Sequence, residues 1–147
     1  MAVTADQLIK AREPGRLREF IVKSGTAIYA GTLVFVETAT GHIHHSITSS
    51  KFVGVAKAGM TAADADGVKT VDVYTSGAFT ITCSGTLAAV DVGKRMEAVD
   101  NYDCKVADAL NATEQPVCGY LTKFITTTKG EIEISPTSML QSIDATA

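Results

Sequence analysis

The chain has 147 residues, enough to bury one hydrophobic core but too few for two independent domains of ordinary size. Its 46% hydrophobic and 20% charged residues, with a formal net charge of -3, are typical of a globular protein. No stretch of eighteen apolar residues and no secretory signal occurs, so we expect a protein made in the cytosol, without a membrane partner.

The first nineteen residues, "MAVTADQLIKAREPGRLRE", differ in character from the rest of the chain. Up to Lys23 there are five basic and three acidic residues, a net +2, which leaves -5 for the remainder. A short helix from Thr4 to Arg12, closed before Pro14, would be marginal by itself. We therefore predict that residues 1–19 form a flexible arm that orders against a partner.

Strand patterns separated by turns begin after the arm, in "REFIVKSG", "TAIYAGTLVFVETATG" and "KFVGVAKAG". The second places Leu33 and Phe35 on one face and Val34 and Val36 on the other. Gly54, inside the third, indicates a bulge or a close backbone approach. These patterns predict half-buried antiparallel sheet.

The stretch "VKTVDVYTSGAFTITCSG" predicts a β-hairpin with its turn at Ser76 and Gly77. Val71 and Val73 alternate with polar residues before the turn, and apolar residues alternate again after it. The apolar residues after the turn are Phe79, Ile81 and Cys83.

The second half of the chain repeats the pattern of the first. "AGTLVFVETATGHIHHS" matches "VGKRMEAVDNYDCKVAD", "KFVGVAKAG" matches "QPVCGYLTKF", and "VKTVDVYTSG" matches "KGEIEISPTS". Gly31 and Gly93 are 62 positions apart, and Gly54 and Gly119 are 65 apart. The sequence therefore predicts an all-β protein with an internal duplication, packed as a closed barrel or a tight sandwich.

Sequence motifs of catalysis are missing. There is no nucleophile elbow and no phosphate-binding glycine loop, and the three cysteines have neither disulfide nor zinc spacing. Asp64 and Asp66 fall in a predicted loop, and Glu131 and Glu133 on the solvated face of a strand. We predict no enzymatic activity and no cofactor.

All three histidines lie within four residues, in "TGHIHHSITSS". Strand alternation puts His42 and His44 on one face and His45 on the other, which is too few ligands for zinc on either face. We therefore favour a solvent-facing hairpin return, with two alternatives: a metal site, for which these residues are weak candidates, and pH-dependent contacts at a subunit interface.

The order of glycine-punctuated strands resembles the capsid cement, or head decoration, proteins of tailed bacteriophages. "AGTLVFVETATGHIHHSITSSKFVGVAKAG" is followed by a V-x-V-x-x-x-G-x-F-x-I pattern, then "VDVGKRMEAVDNYDCKVA" and "VCGYLTKF". The similarity covers about residues 22–135. The longer, arginine-bearing N-terminus and the histidine turn depart from the family pattern.

This resemblance implies a small β-barrel or β-tulip that binds the outer surface of the expanded phage head and stabilises capsomers against internal DNA pressure. It implies the major capsid protein as partner, homo-oligomers that are often trimers, extended termini that reach neighbouring subunits, and a location on the virion surface. The arm is too weakly basic, and too poor in aromatic residues, to predict direct nucleic-acid binding.

We accordingly divide the chain into a capsid-binding arm at residues 1–19, a decoration domain at 20–135 and a C-terminal tail at 136–147. The alternatives are another virion or surface module, such as a tail, adhesin or carbohydrate-binding barrel, and a histidine-based metal protein. The expected capsid contacts of the arm are Leu8, Ile9, Lys10, Arg12, Arg16, Leu17 and Arg18.

Overall fold

A computed structural model of the chain describes residues 2–7, 11–48, 50–60, 69–107 and 116–134, without the side chains of 11–14. This part of the chain contains eleven β-strands, one 3-10 turn at Ala89–Asp91 and no α-helix, which confirms the all-β prediction. The strands are β1 (Ala11–Pro14), β2 (Leu17–Ile21), β3 (Leu33–Glu37), β4 (Ile43–His44), β5 (Ser50–Ala56), β6 (Thr70–Tyr74), β7 (Gly77–Cys83), β8 (Arg95–Ala98), β9 (Asp103–Val106), β10 (Val117–Thr126) and β11 (Lys129–Ile134).

Two units of five strands share one topology. In the first unit the strand order is β2-β6-β5-β3-β4, and in the second it is β7-β11-β10-β8-β9. Parallel pairing of β7 with β9 closes the second unit into a barrel, and β1 adds to the other half of the same β7 edge. Because the two orders are identical when strands are taken in sequence, the predicted internal duplication is present in the fold.

The duplication extends to individual backbone contacts. Val22 forms a parallel bridge with Ile43 in the first unit, and Cys83 pairs in parallel with Cys104 in the second, a shift of 61 positions at both residues. The register also shifts next to a glycine in both units, beside Gly54 in β5 and beside Gly119 in β10. A Cβ at either glycine would collide with a carbonyl oxygen of the neighbouring strand, as the close approach predicted for Gly54 requires.

Strands β3 and β5 are buried on both faces because the two units share a hydrophobic core. Leu33 and Phe35 pack with the apolar residues of the barrel, whereas Val34 faces the interior of the first unit, as alternation predicted. The aromatic rings of Phe35 and Phe52 meet edge to face at 6.0 Å in the shared core. The interior of the first unit consists of Val22, Ile28, Val34, Ile43, Val53, Ala56, Val71 and Val73.

The hairpin predicted around Ser76 and Gly77 is wrong. Strand β6 pairs with β2 and β5, and β7 pairs with β1, β11 and β9, so the two strands belong to different units. The predicted burial of Val71, Val73 and Phe79 is correct, because alternation is a local property. Which strands become partners depends on residues distant in sequence. A short stretch of sequence does not encode this pairing.

The predicted boundary between arm and domain at residue 19 also differs from the structure. Strand β1 pairs with β7 and β2 pairs with β6, so residues 11–21 form an almost continuous ladder against residues 70–79. Between the two strands, Gly15 N donates to the Ser76 carbonyl at 3.2 Å and Thr75 N to the Arg16 carbonyl at 2.8 Å. Residues 2–7 and 11–14 are not helical, in contrast to the short helix considered above. The loop with Asp64 and Asp66 and the tail at 136–147 lie outside the described residues.

Candidate binding surface

The first unit has an exposed sheet edge at β2. Strand β2 pairs with β6 from Leu17 to Ile21. On the other edge, the pairing found among the described residues is one bridge, which joins Val22, just after β2, to Ile43. In the second unit, the equivalent edge of β7 carries β1. Along residues 17–20 the edge facing away from β6 thus has no strand partner within the described part of the chain. Such an edge presents backbone donors and acceptors to an incoming strand.

Three of the predicted arm residues lie at the start of this exposed strand, Arg16 immediately before it and Leu17 and Arg18 within it. Arg16, Leu17 and Arg18 are all exposed, and Leu17 retains 39% of its accessible surface. Strand alternation places Leu17 on one face and both arginines on the other. Arg12 belongs to β1, but the structure does not describe its side chain. Leu8, Ile9 and Lys10 lie outside the described residues.

The histidine segment forms the predicted hairpin between β3 and β4, with Phe35 opposite His44. His44, however, is buried at 7% exposure rather than solvent-facing, and its Nε2 shares a short hydrogen bond with Ser50 Oγ. Burial lowers the pKa of His44 below its ordinary value. His45 is exposed and His42 half-buried, so the three side chains have three different environments.

No group of three or more His, Cys, Asp or Glu side chains suited to a metal ion is found among the described residues. Next to the histidine turn, at the end of β3, Glu37 Oε1 forms an ion pair with Lys23 Nζ at 2.6 Å. Together with a hydrogen bond from Thr40, this pair lowers the pKa of Glu37. These contacts bind the turn to the rest of the first unit.

All three cysteines are free and buried, at 2% exposure or less, in strands β7, β9 and β10. The Sγ atoms of Cys104 and Cys118 lie 3.1 Å apart in the shared core. Burial raises the pKa of Cys83 to about 11, and the neighbouring Cys118 and burial raise that of Cys104. Thiols in such surroundings are poor nucleophiles.

A cavity of about 570 Å³ lies between the N-terminal segment and the first unit, lined by Ala5, Asp6, Ala27, Ile28, Tyr29, Gly59 and Met60. Asp6 Oδ1 accepts a hydrogen bond from Ala30 N at 2.9 Å, so its carboxylate holds the segment in place. Closer to the N-terminus, Val3 N donates a hydrogen bond to Asn101 Oδ1 at 3.0 Å. Among the described lining residues, the titratable groups are the carboxylate of Asp6 and the phenol of Tyr29.

An exposed apolar surface on the second unit was not among the sites predicted from the sequence. Val90, Val92 and Ile125 retain 81%, 47% and 41% of their accessible surface. The only sequence sign was a pair of valines flanking Asp91 in the turn "AAVDVG". Glu131 and Glu133 lie on the strand face predicted for them, opposite buried Ile132, but are half-buried.

Within the described residues, no helix has the length and apolar character needed to cross a membrane. Comparisons of the chain with protein-family models, with curated proteins and with solved structures gave no match.

Proposed function

We propose that this protein is a non-enzymatic structural protein of the tailed-phage virion that binds the outer surface of the expanded head. The unpartnered edge of β2, with Arg16, Leu17 and Arg18 exposed on it, is the observation on which the proposal depends. The resemblance of residues 22–135 to head decoration proteins supplies the class of partner, the major capsid protein.

The binding mode that fits this edge is addition of an extended capsid segment as a further strand. Backbone hydrogen bonds of β2 would provide affinity, each contributing about 0.5–1.5 kcal/mol net. Arg16 and Arg18 would select acidic side chains on one face of the added strand. Many copies on one shell multiply a modest affinity per site, which suits a protein that stabilises capsomer contacts.

The core supports a structural role over an enzymatic one. One buried polar residue links the N-terminal segment and the two units. Asn101, at 1% exposure, bonds the backbone of Val3 through its side chain and accepts from Leu33 N through its carbonyl at 2.7 Å.

The test is co-sedimentation with empty expanded heads. We expect the parent protein to pellet with the heads, and the variant Arg16→Glu/Arg18→Glu to lose about tenfold or more in affinity, since both charges reverse at the contact. Lys57→Glu, another exposed cation of the first unit, serves as the matched control and should bind normally.

Two results would contradict the proposal. The first is parent protein that stays in the supernatant with expanded heads at all concentrations tested. The second is full binding by Arg16→Glu/Arg18→Glu with its circular dichroism unchanged, which would remove the β2 edge from the contact.

A further inference from the structure

The exposed apolar surface of the second unit has a counterpart in the first unit, at the turn that precedes β3. Gly31 N donates to the Ala56 carbonyl at 2.9 Å, and Gly93 N donates to the Leu121 carbonyl at 2.7 Å. The two donors are 62 positions apart and the two acceptors 65, the same offsets that relate the paired glycines. The turn before β3 and the turn before β8 therefore occupy the same place in the two units.

At these offsets, covered apolar residues of the first unit correspond to exposed ones in the second. Ile28 corresponds to Val90, and Met60 corresponds to Ile125. Ile28 retains 1% of its accessible surface and Met60 is half-buried, whereas Val90 and Ile125 retain 81% and 41%. The same apolar site is thus covered in the first unit and open in the described part of the second.

The N-terminal segment lies over this site in the first unit. Gln7 N donates to the Ala30 carbonyl at 2.6 Å, and Ala30 N donates to Asp6 Oδ1 at 2.9 Å. The segment passes so close to Gly31 that a Cβ there would lie 2.6 Å from the Gln7 carbonyl oxygen. Around Gly93, the described residues place no atom within 4 Å of such a Cβ. The second unit therefore has room for a peptide segment at the equivalent place.

We propose that this site of the second unit binds a peptide segment of a partner protein, which the proposed function, on which this inference rests, identifies as the major capsid protein. The first unit shows the chemistry of the occupant. A backbone N–H of the segment would donate to the Val92 carbonyl, which corresponds to that of Ala30 and accepts none of the hydrogen bonds described for the backbone of turns and loops. An apolar side chain would cover Val90 and Ile125, since exposed apolar surface of this kind marks interaction sites.

This contact is separate from the open edge of β2. Strand β2 belongs to the first unit, whereas the turn at residues 89–93 belongs to the second. Two contacts on one shell act together, so the loss of either one should weaken binding to heads rather than abolish it. Variants of one contact can therefore fail while variants of the other behave as expected, which separates this inference from the proposed function.

The experiment uses Val90→Cys to report whether the site is covered. The three native cysteines are buried, so the introduced thiol should be the reactive one in the folded protein. We expect it to react readily with an alkylating reagent in the free protein and about tenfold or more slowly on expanded heads, because the bound segment covers it. Ala58→Cys, at an exposed position of the first unit, is the matched control and should react equally in both states.

A second measurement compares affinities for expanded heads. Val90→Asp should bind heads about fivefold or more weakly than the parent, because a carboxylate replaces an apolar contact. Ala58→Asp adds the same charge at an exposed position of the first unit and should bind as the parent does. Circular dichroism checks that each variant is folded.

Several results would overturn the inference. Equal reaction rates of Val90→Cys in the free and head-bound protein would show that the site stays open on heads. Slow reaction of the free protein at every concentration would show that this chain covers the site itself, and slow reaction only at high concentration would show that a second copy does. Folded Val90→Asp that binds heads like the parent would also refute it, while leaving the proposed function intact. Failure of the parent to bind heads would overturn the proposed function and, with it, the capsid segment as occupant.

Discussion

The equivalence of the two units can be tested at their paired glycines. Gly54→Ala places a methyl group against the Tyr74 carbonyl, and Gly119→Ala places one against the Glu133 carbonyl. The backbone around Gly54 has an ordinary φ, so the cost there is overpacking, about 1–3 kcal/mol. Gly119 has φ +152°, so its substitution adds about 1–3 kcal/mol of backbone strain to the same collision.

Gly41 provides the control that isolates backbone strain. Its φ is +74°, and nothing lies within 4 Å of a Cβ built there, so Gly41→Ala should cost only about 1–2 kcal/mol. For a chain of this size, 1 kcal/mol lowers the melting temperature by about 2–4 °C. We therefore expect Gly119→Ala to lower the melting temperature most, by about 4–24 °C, and Gly54→Ala and Gly41→Ala to lower it less.

The assay is urea unfolding followed by far-ultraviolet circular dichroism, with thermal melting as a second measure. The expected collision at Gly54 is refuted if the free energy of unfolding of Gly54→Ala is within about 0.5 kcal/mol of that of the parent, a difference typical of a neutral surface substitution. It also fails if Gly41→Ala is as destabilising as Gly119→Ala, because the carbonyl collision would then contribute nothing.

Two further predictions concern buried titratable groups. Because burial lowers the pKa of His44, the unfolded chain takes up a proton first as pH falls through about 6.5, so stability should decrease from about pH 7.5 to 5.5. Urea midpoints should show a smaller decrease for His44→Gln than for the parent protein; equal pH dependence in the two proteins would refute the assignment. The buried thiols should not react with a thiol-specific reagent in the folded protein, and all three should react in denaturant. Rapid labelling of the native chain would show that the shared core opens.

Much of this fold could be predicted from local patterns. Alternation assigned Leu33 and Phe35 to one side of β3 and Val34 to the other, since successive side chains of a strand point to opposite faces whatever its partners are. The steady spacing of the paired glycines predicted the duplication, because close backbone approaches at Gly54 and Gly119 leave no room for a side chain. The sequence assigned Arg16, Leu17 and Arg18 to a flexible arm, whereas the structure pairs Leu17 and Arg18 with β6 as part of the first unit.

Tertiary structure alone decided which strands are neighbours. Ser76 and Gly77 look like a hairpin turn, yet β6 and β7 separate into two units, because β6 pairs with β2 and β5 while β7 pairs with β1, β9 and β11. Burial of His44 and the like-charged pairing of Glu19 with Asp72 depend on the same long-range register. Local sequence thus determined which side chains share a face of each strand, and the pairing of strands distant in sequence determined what each face contacts.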